Sequence, residues 1–310
     1  MSNYYEPVTS INRGLQSDEN QIVNRSLTNL PQPYLTGLKL NEDIVLGNLT
    51  LNKIDSNNIV WVCTDLEGWW NLPEPEFPEL TRGWGDGSYD SVGRYASRLI
   101  TLEGSFLTQS PDQVEVARQT LLDAVNLVYK GSNLIVYETT PKVSFVRLSG
   151  RPEIISAKAR GRHDFSIGLK AADPIKYQYL SNTYNTLTLS AGASNTIANS
   201  GNIKTPVIFE LSGTITGGTI TNTYTNSLGA SVIETIGGIT KSSAAYTTEI
   251  DTYNRSVIRV QSGTTTAARS DINSYVDWIH LHPGNNLIQF TTTGGSSQSC
   301  KVYYRSGWIG

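Results

Sequence analysis

Three histidines are present, and two of them, His280 and His282, stand two residues apart beside Asp277 and Trp278. In an extended strand, residues of equal parity share a face. Trp278, His280 and His282 then line one side, with Ile279 and Leu281 on the other. A His-x-His pair supplies two ligands to a metal, and an indole can stack on a sugar ring. No third ligand follows at a useful spacing, so no metal site is expected. The row fits either a glycan contact made by Trp278, His280 and His282 or a solvent-facing edge opposite a core-facing Ile/Leu row.

A second group is acidic: Glu67, Glu74, Glu76, Glu79, Asp86 and Asp90. Paired carboxylates can cleave glycosidic bonds. Here Pro73, Pro75 and Pro78 spread the glutamates along an extended segment, and nothing nearby would bury one and raise its pKa. Asp86-Gly87 reads as a turn, and no EF-hand spacing follows it. There is no Gly-rich phosphate loop and no Gly-x-Ser-x-Gly. No catalytic residue and no cofactor is expected, and the chain does not read as an enzyme.

The third group combines aromatic and guanidinium side chains. Four of the six tryptophans fall between Trp61 and Trp84. Arg82, Arg94, Arg98, Arg147, Arg151, Arg160 and Arg162 lie in the same expected domain. Arg suits bidentate interface pairs better than Lys, and Trp with Arg is typical of protein interfaces. The segment reads as strand, long decorated loop, strand. Loops of this length are usually functional or interfacial. Trp69, Trp70, Trp84, Arg82, Arg94 and Arg98 are therefore the expected contact residues for another protein.

The elements that must position these groups are mostly short strands. Ile44–Leu46 and Leu49–Leu51 flank Gly47-Asn48, a hairpin dipeptide. Strands are expected at 59–62, 99–107, 133–137, 142–150, 153–160 and 164–171. One helix stands out. Ser110-Pro111-Asp112-Gln113 combines an N-cap, Pro at the first helical position and Gln at the third, a capping-box start. Val114, Ala117, Leu121, Val125 and Val128 then form one stripe, and Gly131 stops it. Strands, one helix and strands again suggest an α+β domain built on a β-barrel or rolled sheet, with the helix covering one face.

After Asp173-Pro174 the composition shifts to Thr, Ser, Gly and Asn, and no helical stripe appears. Short β-prone runs separated by turn residues read as a β-sandwich. They include Pro206–Ser212, Gly218–Thr223 and Ser231–Ile236. Gly217-Gly218, Gly237-Gly238 and Gly294-Gly295 read as its turns, and His282–Asn286 as a tight hairpin. The expected divisions are an N-terminal arm over 1–37, a domain over 38–180 and a sandwich over 181–310.

Composition sets outer limits. The chain has 310 residues, 16% charged, with a formal net charge of −3. That is no basic stripe for nucleic acid, and too little charge for disorder. No apolar run approaches the ~18 residues that a spanning helix needs, so membrane insertion is not expected. Cys63 and Cys300 show no metal spacing; a disulfide between them cannot be read from sequence, and two buried thiols are the expected state.

The order of "GWW" (Gly68–Trp70), "GDG" (Gly85–Gly87) and "YxxRxITLEG" (Tyr95–Gly104) resembles the N-terminal half of siphophage distal tail proteins, notably the minor tail proteins of phages of actinobacteria. Gly161–Pro174 resembles the strand that closes the same domain. The resemblance covers roughly residues 40 to 180. The last 130 residues resemble, less specifically, the galectin-like sandwich that this family appends. What the resemblance implies is a structural virion protein of the tail tip, assembled in the host cytoplasm. It would be a hexameric ring joining the tail tube to the hub or baseplate, with a channel for DNA. The implied partners are other copies of the chain, the tail tube protein, the hub or baseplate protein and the tape measure protein, with host cell-wall glycan as a further contact. No sequence-specific nucleic acid is implied. The alternative expectation is a carbohydrate-binding module for attachment to the host surface.

Overall fold

The computed structural model describes residues 42–310, except 79, 85, 87, 90–92, 157–161 and 273–276. The expected N-terminal arm, Glu79, Asp90 and Arg160 lie outside the described residues. The protein is mainly β, with one long helix among the described residues. It divides into two compact units, one ending at Pro174 and one spanning Ile175–Ile309.

In the first unit the strands are β1 (Ile44–Leu46), β2 (Leu49–Leu51), β3 (Lys53–Ile54), β4 (Val60–Glu67), β9 (Arg98–Leu107), β10 (Ser132–Val136), β11 (Lys142–Leu148), β12 (Glu153–Ser156) and β13 (Arg162–Ala171). They pair antiparallel in the order β2-β1-β10-β11-β13-β9-β4-β3, with β12 added beside β13. The first and last strands of that path are separated in the chain by Asn52 alone, so the sheet is rolled on itself. Asn52 sits at this seam with φ +63°. Its side chain donates to Glu42 O at 2.6 Å and accepts from Cys63 N at 2.9 Å. Buried polar groups of this kind must be satisfied, and this one is.

Helix α1 (Pro111–Lys130) buries Ala117, Leu121, Ala124, Val125 and Val128 in the same core cluster as Trp61, Leu102, Phe106, Phe165 and Ile167. The cap differs in one detail from the expected box. Ser110 Oγ accepts from Gln113 N at 3.4 Å, but Gln113 Oε1 reaches past the N-cap to Gln109 N at 2.7 Å. Gly131 ends the helix, its N–H donating to Val128 O at 3.0 Å.

The second unit contains β14 (Lys176–Gln178), β15 (Asn185–Ser190), β16 (Ser194–Asn199), β17 (Thr205–Pro206), β18 (Ile208–Thr225), β19 (Ser231–Lys241), β20 (Thr247–Asp251), β21 (Ser256–Gln261), β22 (Thr264–Ala267), β23 (His280–Leu281), β24 (Gly284–Thr291), β25 (Gly294–Tyr304) and β26 (Gly307–Trp308). Strand β18 is the organising element. Its first half pairs with β25 and β20, and its second half with β19 and β24. One strand thus joins two sets of partners, β15-β25-β18-β20-β21-β22 and β16-β24-β18-β19, within one nine-stranded sheet. Between them Phe209, Leu211, Ile220, Ile236, Ile250, Ile288, Phe290 and Val302 pack in one cluster.

Three sequence expectations are corrected here. Pro206–Ser212 and Gly218–Thr223 are not separate strands, because Gly217-Gly218 lies within β18 at a register shift instead of in a turn. Gly237-Gly238 lies within β19. His282–Asn286 does not join two paired strands, since β23 pairs with β17 while β24 pairs with β16 and β18. Side chains close this corner instead: Asn286 Oδ1 accepts from His282 N at 2.8 Å, and Asn286 Nδ2 donates to His282 O at 2.7 Å.

Both cysteines are free and buried. Burial pushes the Cys63 thiol up to about 12 and raises that of Cys300 further. At neutral pH both are protonated and poor nucleophiles.

Candidate interaction surface

The long loop between β4 and β9 begins with a backbone that only glycine fits. Gly68 has φ +82°, and a Cβ there would lie 2.1 Å from Leu99 O. The turn sends the next two tryptophans in different directions. Trp69 is fully buried, and its Nε1 donates to Glu138 Oε1 at 2.7 Å. Glu138 in turn pairs with Lys142. Trp70 is 42% exposed.

Arg98 holds the foot of the loop. Its side chain is buried. Nη1 donates to Gly68 O at 2.8 Å, Trp69 O at 3.1 Å and Asn71 O at 2.6 Å, and Nε donates to Pro174 O at 3.1 Å. Burial pulls its pKa down to about 10, which still leaves a cation at neutral pH. The fork geometry of guanidinium suits such convergence of carbonyls. Trp69 and Arg98, both expected at a protein contact, are thus interior residues that fix the base of the loop.

Beyond this base the loop is not irregular. β5 (Pro75–Glu76) pairs with β8 (Arg94–Tyr95), and β6 (Leu80–Thr81) pairs with β7 (Ser88–Tyr89). These nested pairs make a narrow two-stranded ribbon. Arg94 Nε meets Glu76 Oε2 at 2.9 Å, and the Arg82 guanidinium lies over the Tyr89 ring at 5.6 Å. The Phe77 ring lies against the backbone of Gly93, where a Cβ would come within 2.5 Å of it.

The ribbon exposes large apolar side chains. Trp84, near the tip, is 97% exposed and Phe77 64%, while Leu72, Tyr89 and Tyr95 are also exposed. A two-stranded ribbon is marginally stable alone. Clustered exposed aromatics mark an interaction site. Of the six residues expected at a contact, Trp70, Trp84, Arg82 and Arg94 lie on this exposed loop. Phe77, Leu72, Tyr89 and Tyr95 were missed. Their signal was alternation with Pro, Glu and Gly, which is weak over two-residue strands.

Among the described residues, the acidic side chains of the loop form no acid/base pair. Glu67, Glu74, Glu76 and Asp86 are exposed. Among the other arginines, Arg147 and Arg151 are exposed, and Arg162 pairs with Asp164 at 2.8 Å.

In the second unit the parity of Trp278, His280 and His282 is as read from the sequence. Ile279 and Leu281 are buried, and the other three are half-buried. Their recognition groups, however, are engaged within the chain. The His282 ring stacks on Tyr224 at 3.6 Å and 6°. His282 Nε2 contacts Glu234 Oε1 at 3.0 Å, and Glu234 Oε2 accepts from His280 N at 3.0 Å. Arg269 lies 5.5 Å over the Trp278 ring. Burial, with Lys204 nearby, lowers the His280 pKa and favours the neutral ring. Among the described residues no three His, Cys, Asp or Glu side chains gather as metal ligands.

The sequence matches no protein-family model and no curated protein. Among solved structures, the SPP1 Dit (gp 19.1) protein is similar with a TM-score of 0.56 at 13% identity, covering 86% of this chain and 99% of that one. It is described as a paradigm of the hub adsorption apparatus in phages that infect Gram-positive bacteria. The baseplate of phage P2 in its calcium-activated conformation matches with a TM-score of 0.38 at 8% identity, over 86% of this chain and 99% of that one. The likeness to SPP1 Dit is one of fold, and it spans nearly the whole of that protein.

Proposed function

We propose that this chain is a structural protein of a phage tail tip. In this reading it forms a hexameric ring that joins the tail tube to the hub or baseplate and leaves a channel for DNA. Residues 38–180 build the ring, and the sandwich over 181–310 stands outside it. The tape measure protein is a further partner, and the chain performs no catalysis. The observation that carries the reading is the ribbon between β4 and β9, whose Trp84 and Phe77 are largely exposed. Such surface is a liability in a monomer and an asset in a closed assembly, where each copy covers its neighbour. The fold shared with SPP1 Dit supports the same role. Native mass spectrometry with negative-stain imaging of the purified protein tests it: six-fold rings are expected, and a monomer at every concentration would refute it.

Attachment to host glycan through the second unit is the alternative. One feature of that unit favours an acidic ligand, at residues other than Trp278, His280 and His282.

A further inference from the structure

One cation of the second unit is held between aromatic rings and yet, among the described residues, has no acceptor. Arg305 follows β25. Its guanidinium carbon lies 4.5 Å from the centre of the Tyr177 ring and 4.6 Å from that of Tyr184. Tyr177 comes from β14, and Tyr184 precedes β15. Tyr184 meets Tyr303 edge-on at 6.3 Å, and Lys301 Nζ lies 4.7 Å over the Tyr303 ring. The result is a continuous row of rings and cations: Tyr177, Arg305, Tyr184, Tyr303, Lys301. All five are half-buried.

The acid that contacts this row is Glu210, whose Oε2 accepts the Tyr303 hydroxyl at 2.9 Å. Among the described residues, Arg305 makes no ion pair and no hydrogen bond. Two other arginines differ. Arg259 grips Asp271 with both Nε and Nη2, and Arg162 pairs with Asp164. Aromatic faces attract a guanidinium and pin it, but they accept none of its five N–H donors in the plane. A pinned planar fork with unspent donors is preorganised for a two-point oxyanion. Its side-chain entropy is lost on folding and not on binding. Lys301 adds a second positive charge along the row, and tyrosine rings beside a charged anchor suit the apolar face of a sugar.

We propose that Arg305, held by Tyr177 and Tyr184, anchors a subsite for an oxyanion on a polyhydroxylated ligand, either a sugar carboxylate or a polyol phosphate. The subsite deepens the glycan-attachment reading above, and its test reads binding and not ring formation.

Isothermal titration of the full chain with trigalacturonate, its neutral methyl ester, oligomeric glycerol phosphate and inorganic phosphate tests this. Saturable binding of at least one anionic probe is expected, with the ester weaker than its acid by roughly tenfold or more. Glycerol phosphate binding with displacement by inorganic phosphate identifies a phosphate source. Trigalacturonate binding that inorganic phosphate does not displace identifies the sugar acid. Arg305→Lys keeps the charge but loses the fork, and should weaken binding about tenfold with an unchanged circular dichroism spectrum. If that variant fails to fold, the comparisons on the parent chain still decide. Absence of saturable binding by every anionic probe would overturn the proposal. So would equal affinity for acid and ester, or a folded Arg305→Lys variant that binds like the parent.

Discussion

At the scale of single residues, the loop between β4 and β9 separates two roles that its sequence mixes. Arg98 faces inward and gathers the carbonyls of Gly68, Trp69 and Asn71. Arg98→Ala would strand these buried acceptors, each costing about 1–3 kcal/mol. The expected outcome is a loss of about 3 kcal/mol or more of stability in denaturant unfolding; a loss below about 1 kcal/mol would contradict the role assigned to it. Trp84→Ala should do the opposite. With its ring in solvent, stability should stay within about 0.5 kcal/mol, while self-association weakens about tenfold or more. Sedimentation velocity beside thermal unfolding separates these effects. Arg98 was expected at a contact, although strand parity carried a signal for its inward direction. Arg98, Ile100, Leu102 and Phe106 share one parity on β9, and all four are buried while Leu99 is exposed. The split between Trp69 and Trp70 was not legible, since it depends on the turn at Gly68 and on Glu138, 69 residues away.

At the scale of elements, helix α1 could be read closely because its signals are local: a cap, a proline, a stripe and a stop. The ribbon could not, because its strands are two residues long and their partners are set by register. Strand β18 misled for a different reason. Glycine pairs look like turns, yet in β18 they let one strand bend and serve two sets of partners. Gly213, φ +79°, falls at a register shift, and a Cβ there would lie 2.3 Å from Ser297 O. Gly192 has a similar φ of +83° with nothing within 4 Å. Both alanine substitutions pay for the left-handed backbone, about 1–2 kcal/mol, but only Gly213→Ala meets a wall. It should lower the melting temperature well beyond Gly192→Ala and raise amide exchange in β18 and β25. Equal melting temperatures would mean that the crowding is relieved at no cost.

At the scale of the whole molecule, the expected division fell between 180 and 181, a few residues past the composition shift, whereas the two compact units divide between Pro174 and Ile175. The rolled sheet and the strand-rich second unit were legible as classes, because alternation and turn residues recur along both. How the rolled sheet closes was not, since the seam rests on the single residue Asn52. Assembly belongs to this scale. From Ser181 to Gly310 there are seven Lys or Arg against six Asp or Glu. Such balance gives little long-range steering, so assembly should rest on the first unit. The most direct measurement is native mass spectrometry of the full chain beside a version ending at Leu180. The account predicts that the full chain appears at six times its 33.9 kDa mass, and that the shortened chain also forms a hexamer. A full chain that stays at its single-chain mass at the highest soluble concentration would contradict the ring. A shortened chain that stays monomeric while the full chain forms rings would contradict the division of labour between the units.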